Sequence, residues 1–134
     1  MIGIVLISHG SMADGMVDSA GMLFGEAGLA QVGTVSLSPE ESPEDFDDRL
    51  TEAIAKVDSG EGVFVFCDLL GGTPCNRAAF KCKEGIQVIT GMNLPIFLEL
   101  LGLRMGGNEV DINSLISIAS DGIVSLNSLL KGDK

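Results

Sequence analysis

Ile2-Gly3-Ile4-Val5-Leu6-Ile7-Ser8-His9-Gly10 is the stretch whose reading decides the fold. From Ile2 to Ile7 every side chain is apolar, most are β-branched, and the run stops abruptly at Ser-His-Gly. A strand with one wet face alternates apolar and polar residues. An uninterrupted apolar run belongs instead to a strand covered on both faces, as inside a parallel sheet. The run is far shorter than the roughly 20 residues needed to span a bilayer and has no basic flank. It is therefore expected to be neither a membrane span nor a signal peptide.

Downstream of this strand, Met12, Met16, Ala20 and Leu23 recur at helical spacing, and Gly25 and Gly28 are expected to stop that helix. Residues 32–37 form a second strand candidate. Ser42-Pro43-Glu44-Asp45 starts a helix: serine suits the N-cap, proline the first helical position, and the acids the positive end of the helix dipole. Phe46, Leu50, Ala53, Ile54 and Val57 then make one apolar stripe. Residues 62–67 are a third strand, with Asp68 at its end. By the same cap-then-proline logic Thr73-Pro74 is expected to open a third helix running to about Lys83, and residues 86–90 are a fourth strand. Asn93 is expected to cap a helix through Leu101, and Asp111 another through Ala119. Residues 122–126, Gly-Ile-Val-Ser-Leu, read as a fifth strand or as a continuation of the last helix, with the strand preferred. Regular alternation of strand and helix predicts an α/β fold, an open, mainly parallel sheet with helices on both faces and right-handed crossovers. The expected strand order is flavodoxin-like, with the first strand between the second and third. The 134 residues fit one domain, 1–134.

Nineteen acidic and eight basic residues give a net charge of −11. Nucleic acid and anionic membrane surfaces require clustered Lys and Arg, so neither is expected as a partner; a protein with a basic face fits better. Eighteen glycines follow no strict period, which excludes collagen-like and low-complexity chains and points to tight turns and close backbone approaches. Cys67, Cys75 and Cys82 match no C-x-x-C spacing, and the single histidine cannot complete a Cys2His2 zinc site. They are expected to be reduced, buried or half-buried thiols of a cytoplasmic protein, with no metal and no cofactor.

In open parallel sheets ligands bind beyond the carboxyl ends of the strands, where strand order reverses. Here that point lies between the first and third strands, which end in His9 and Asp68. Each residue has an ordinary alternative: His9 as a hydrogen-bonded loop residue, Asp68 as a turn residue, and Gly71-Gly72-Thr73-Pro74 as turn chemistry. Their convergence suggests a device. Neutral imidazole, with an ordinary pKa of about 6.5, is a good nucleophile near neutral pH. Asp68 accepting one ring N–H would fix the tautomer and aim the other nitrogen outward. Two glycines before a helix expose backbone N–H groups that hold an anion, so Gly71, Gly72 and Thr73 are candidates for binding a phosphoryl group. The pattern G-x-x-x-x-G-K-[ST] is absent, which argues against an ATP-using kinase.

At these residues the sequence resembles the enzyme IIA component of the mannose-family sugar phosphotransferase system. The resemblance rests on Val5-Leu-Ile-Ser-His-Gly10, Asp68-Leu-Leu-Gly-Gly-Thr-Pro-Cys-Asn76 and Gly91-Met-Asn-Leu-Pro95, and covers most of the chain in the right order. It implies that His9 takes phosphate from phospho-HPr on Nε2 and passes it to a IIB component. A membrane IIC/IID pair then couples transfer to sugar uptake, and the IIA component itself never touches the sugar. It further implies that Asp68 orients His9, that Thr73 helps bind the phosphoryl group, and that the chain is a homodimer with an exchanged C-terminal strand. Competing readings are a sirohydrochlorin-type metal chelatase, which needs further His or Glu ligands, and a dihydroxyacetone-kinase phosphocarrier subunit, which lacks the Gly-Gly-Thr-Pro pattern. A third is a non-catalytic regulatory domain, in which His9 would accept no phosphate.

Overall fold

The computed structural model describes residues 1–83 and 85–132. Its elements run β1 (Gly3–His9), α1 (Met12–Gly28), β2 (Val32–Leu37), α2 (Pro43–Val57), β3 (Val63–Cys67), α3 (Gly72–Ala79), β4 (Ile86–Ile89), α4 (Leu94–Met105), α5 (Ile112–Asp121) and α6 (Leu126–Leu130). The four strands form one sheet in the order β2-β1-β3-β4, every pair parallel. The expected flavodoxin-like arrangement, with β1 between β2 and β3, is therefore present. The residues group into two compact units, Met1–Met92 and Asn93–Lys134.

In the first unit the uninterrupted apolar run of β1 does what its composition requires. Ile4 to Ile7 are fully buried, and alternate side chains serve opposite faces. Val5 and Ile7 join Val35, Val63 and Val65 against the apolar stripe of α2 (Phe46, Leu50, Ile54, Val57) and against Cys75 and Ala78 of α3. On the opposite face lie Ile4, Leu6 and Ser8. There α1 is fastened to the sheet by its own first turn, where Asp14 accepts hydrogen bonds from Thr34 (2.5 Å) and Ser36 (3.2 Å) of β2.

Local signals account for most boundaries. The Ser42 side chain accepts from the Asp45 amide and Pro43 takes the first helical position, as the sequence predicts. Four expectations for this unit are corrected. The buried stripe of α1 is Ala13, Met16 and Ala20, whereas Met12 and Leu23 are exposed; both sets have helical spacing, and tertiary packing selected the smaller residues. Helix α3 starts at Gly72, not with Thr73 as cap, because Gly71 at φ 88° occupies the N-cap. It ends at Ala79, where the amides of Phe80, Lys81 and Cys82 reach back three residues and tighten the chain into a turn. Cys67 and Cys75 are buried, but Cys82 is exposed; all three are free thiols.

The second unit is helical. Asn93 caps α4 by accepting from the Ile96 amide (2.9 Å) and donates its side-chain N–H to the Ala119 carbonyl (3.1 Å), which ties the start of α4 to the end of α5. Asp111 caps α5 as expected. The preferred strand at 122–126 is not formed in the single chain. Gly122 closes α5, its missing side chain leaving room for Pro95 (an added Cβ would stand 3.0 Å from that ring), and Ser125 caps α6. Among the described residues no strand pairs with this segment. Among the described residues no helix is long and apolar enough to cross a membrane.

Candidate active site

β1 and β3 are direct neighbours, with Ile7 opposite Cys67 in their register, so the next residues along each strand meet beyond the sheet. His9 and Asp68 meet there. One carboxylate oxygen, Asp68 Oδ2, accepts from the His9 backbone amide and lies 2.8 Å from both that nitrogen and ring Nδ1. The other oxygen accepts from the Leu69 amide at 2.9 Å. An ionised carboxylate only accepts, so Nδ1 carries the ring proton and Nε2 of the neutral ring keeps its lone pair. The same oxygen grips backbone and ring of one residue, which fixes both where the imidazole is anchored and which way it points.

Exposure divides the roles. The Asp68 side chain is only 7% exposed, the His9 side chain 48%. Burial pushes the Asp68 carboxyl up. The hydrogen bonds from the His9 amide, the His9 ring and the Leu69 amide outweigh that and hold it below its ordinary value of 3.8. The acid is therefore an anion at neutral pH, in contact with a ring whose other side is open to solvent. Cys67, directly before Asp68, has no comparable activation: burial pushes its thiol up to about 12.

Of the glycine pair, Gly72 is the one whose missing side chain leaves room for the ring. Gly71 and Gly72 have φ of 88° and 79°, a region L side chains rarely adopt. A Cβ on Gly72 would stand 2.9 Å from His9 Cε1 and 3.1 Å from Nε2; on Gly71 it would meet nothing within 4 Å. Gly72→Ala is therefore expected to cost about 1–3 kcal/mol in denaturant unfolding and to shift the His9 ring resonances, because strain and collision act together. Gly71→Ala carries backbone strain alone and should leave the ring signals in place; identical ring spectra for the two variants would contradict the contact.

Of the residues singled out by sequence, His9 and Asp68 are in direct contact, the His9 ring occupies the space a Gly72 side chain would fill, and Gly71 and Thr73 flank Gly72 along the chain. Thr73 is half-buried in the first turn of α3, and its hydroxyl makes no hydrogen bond to His9 or Asp68. Two contributors went unnoticed in the sequence: the Leu69 amide, which has no side-chain signature, and Ser8. Ser8 did leave a signal: among the described residues it is the one polar residue in a buried strand position. Among the described residues no group of three or more His, Cys, Asp or Glu side chains is arranged to hold a metal ion.

Residues 3–116 match the family described as the PTS system fructose IIA component, EIIA-man. The mannose-specific EIIAB component of Escherichia coli K12 is 32% identical over 120 residues, 88% of this chain. The chain spans 36% of that relative's length. The fructose-specific EIIA component of Bacillus subtilis 168 is 31% identical over 106 residues, covering 78% of this chain and 71% of its own. Among solved structures, the PTS IIA protein associated with the fucose utilization operon of Streptococcus pneumoniae superposes with a TM-score of 0.87 at 28% identity, over 96% of each chain.

Proposed function

The chain belongs to the EIIA-man family of phosphotransferase-system IIA components, and from that premise we propose that it is a phosphocarrier whose working residue is His9. The observation that carries the proposal is the double grip of Asp68 on the amide and Nδ1 of His9, which leaves Nε2 as the free nucleophile beside the Gly72 backbone. In the proposed step the Nε2 lone pair attacks the phosphorus of the donor, phospho-HPr. The bond from phosphorus to the donor atom breaks, and its electron pair stays on the donor. The proton on Nδ1 remains in place, so the phosphorylated ring carries positive charge, which the adjacent Asp68 carboxylate stabilises. Gly71, Gly72 and Thr73 would hold the transferred oxygens through the amides at the start of α3. Running the same step in reverse, or toward a IIB component, empties the site.

The wider assignment follows from the same reading: one IIA unit over 1–134, cytoplasmic, serving a IIB component and, through it, a IIC/IID membrane pair in sugar uptake. A charge of −11 suits donors and acceptors with basic faces. The test is to mix the chain with enzyme I, HPr and phosphoenolpyruvate. One phosphoryl group per chain should be acquired and returned to added unphosphorylated HPr. A chain that takes up none would favour the chelatase or regulatory readings.

A homodimer is part of the proposal. Ile123, Val124, Leu126 and Leu130 are more than half exposed, an apolar segment a second copy could cover by docking or exchanging the C-terminal stretch. Light scattering at micromolar concentration should give twice the 13.9 kDa chain mass, and a monomer would contradict this.

A further inference from the structure

We propose that Ser8 is a positioning residue for His9, holding the backbone on the far side of the histidine from Asp68. This rests on the reading of His9 as the phosphoryl acceptor. Ser8 is fully buried, and a buried hydroxyl is unfavourable unless both its donor and its acceptor capacity are used. Both are used, and both on the chain that follows His9. Oγ donates to the Gly10 carbonyl (3.0 Å) and accepts from the Ala13 amide (2.9 Å).

The second bond is a helix cap supplied from an unusual place. Ser11 occupies the N-cap position of α1 but makes no side-chain hydrogen bond to the helix. Ser8, the last buried residue of β1, supplies it instead. One hydroxyl therefore closes the turn from strand to helix, with His9 and Gly10 inside it. Gly10 has φ of 57° and open space where a side chain would stand; its amide is held by the Leu37 carbonyl of β2 (2.9 Å) and its carbonyl by the Ser8 hydroxyl. Without the Ser8 hydroxyl the Gly10 carbonyl is released, and the bond to Leu37 alone holds the chain leaving His9. That loosening passes across the intervening His9–Gly10 peptide to the His9 amide, which shifts against Asp68 Oδ2 and turns the ring with it.

The experiment uses the full chain as wild type, Ser8→Ala, Ser8→Cys and Ser8→Thr. Transfer from phospho-HPr is followed over a range of donor concentrations, and the His9 ring is followed by ¹⁵N NMR. Ser8→Cys preserves side-chain volume and carries the test if Ser8→Ala does not fold. The expected result for Ala and Cys is a kcat lower by about tenfold, because near-attack geometry tolerates little displacement. KM should stay within about twofold, since a buried hydroxyl touches no partner. The Nδ1–H signal should show a weakened bond to Asp68, and Ser8→Thr, which keeps the hydroxyl, should restore both rate and spectrum. Wild-type kcat in Ser8→Cys, or a loss in which KM rises and the ring spectrum stays unchanged, would overturn the proposal. If the wild-type chain takes no phosphate, the reading of His9 fails separately. The ring spectra then decide for Ser8: an altered Nδ1–H signal in Ser8→Cys supports it, and an unaltered one overturns it.

Discussion

Asp68→Asn is expected to lower the rate of phosphoryl transfer to this chain by a factor on the order of 10² to 10⁴ while the protein stays folded. The substitution preserves shape and changes two things. A neutral amide cannot offset the positive charge that develops on the ring as Nε2 bonds to phosphorus. It can also rotate its NH2 toward Nδ1, which moves the ring proton to Nε2 and removes the nucleophilic lone pair. The cost in stability should be far smaller, about 1–2 kcal/mol, because one of three accepted N–H bonds can be retained by the amide oxygen. Wild-type transfer rates in folded Asp68→Asn would show that the carboxylate does not set the chemistry of His9.

The same carboxylate makes a pH-dependent contribution to stability. Its folded pKa is depressed despite burial, by the amides of His9 and Leu69 and by the His9 ring. The contribution is fully present above the unfolded value, near 3.8. It is lost as pH falls from there through the lower folded value. Asp68→Asn should therefore flatten that part of the acid unfolding profile.

The fold was legible because its signals are local and redundant. An apolar run covered on both faces, serine or asparagine caps, and prolines in first turns marked β1, α2 and α4 from a few residues each. Strand order followed from general topology, and that order brought His9 to Asp68. What was illegible depended on packing that a linear pattern does not encode. Ala13 and Met12 are adjacent on α1 and both belong to helical stripes, so only the sheet beneath could choose between them. Thr73 has every property of an N-cap, yet a glycine two residues earlier holds that position by its φ. The contact of Gly72 with the ring, and the reach of Ser8 across His9 to Ala13, link residues that sequence spacing does not pair. Residues 122–126 have the composition of a strand, but they pair with no described strand, and Ser125 caps a short helix instead.

The central claim is that phosphate resides on His9, and the chemistry of the bond tests it most directly. His9 is the only histidine, so labelling by phospho-HPr should reach one phosphoryl group per chain. Removing the ring leaves the His9 backbone amide and the Leu69 amide on Asp68, so His9→Ala is expected to fold and to take up no label. A phosphoramidate is hydrolysed in acid and survives alkali, whereas a serine or threonine phosphoester behaves in the opposite way under mild treatment. The measurement is therefore the acid and alkali stability of the label on the wild-type chain, alongside its incorporation into folded His9→Ala. The account predicts an acid-labile, alkali-stable label that is lost in the variant; an acid-stable label, or one retained by folded His9→Ala, would contradict it.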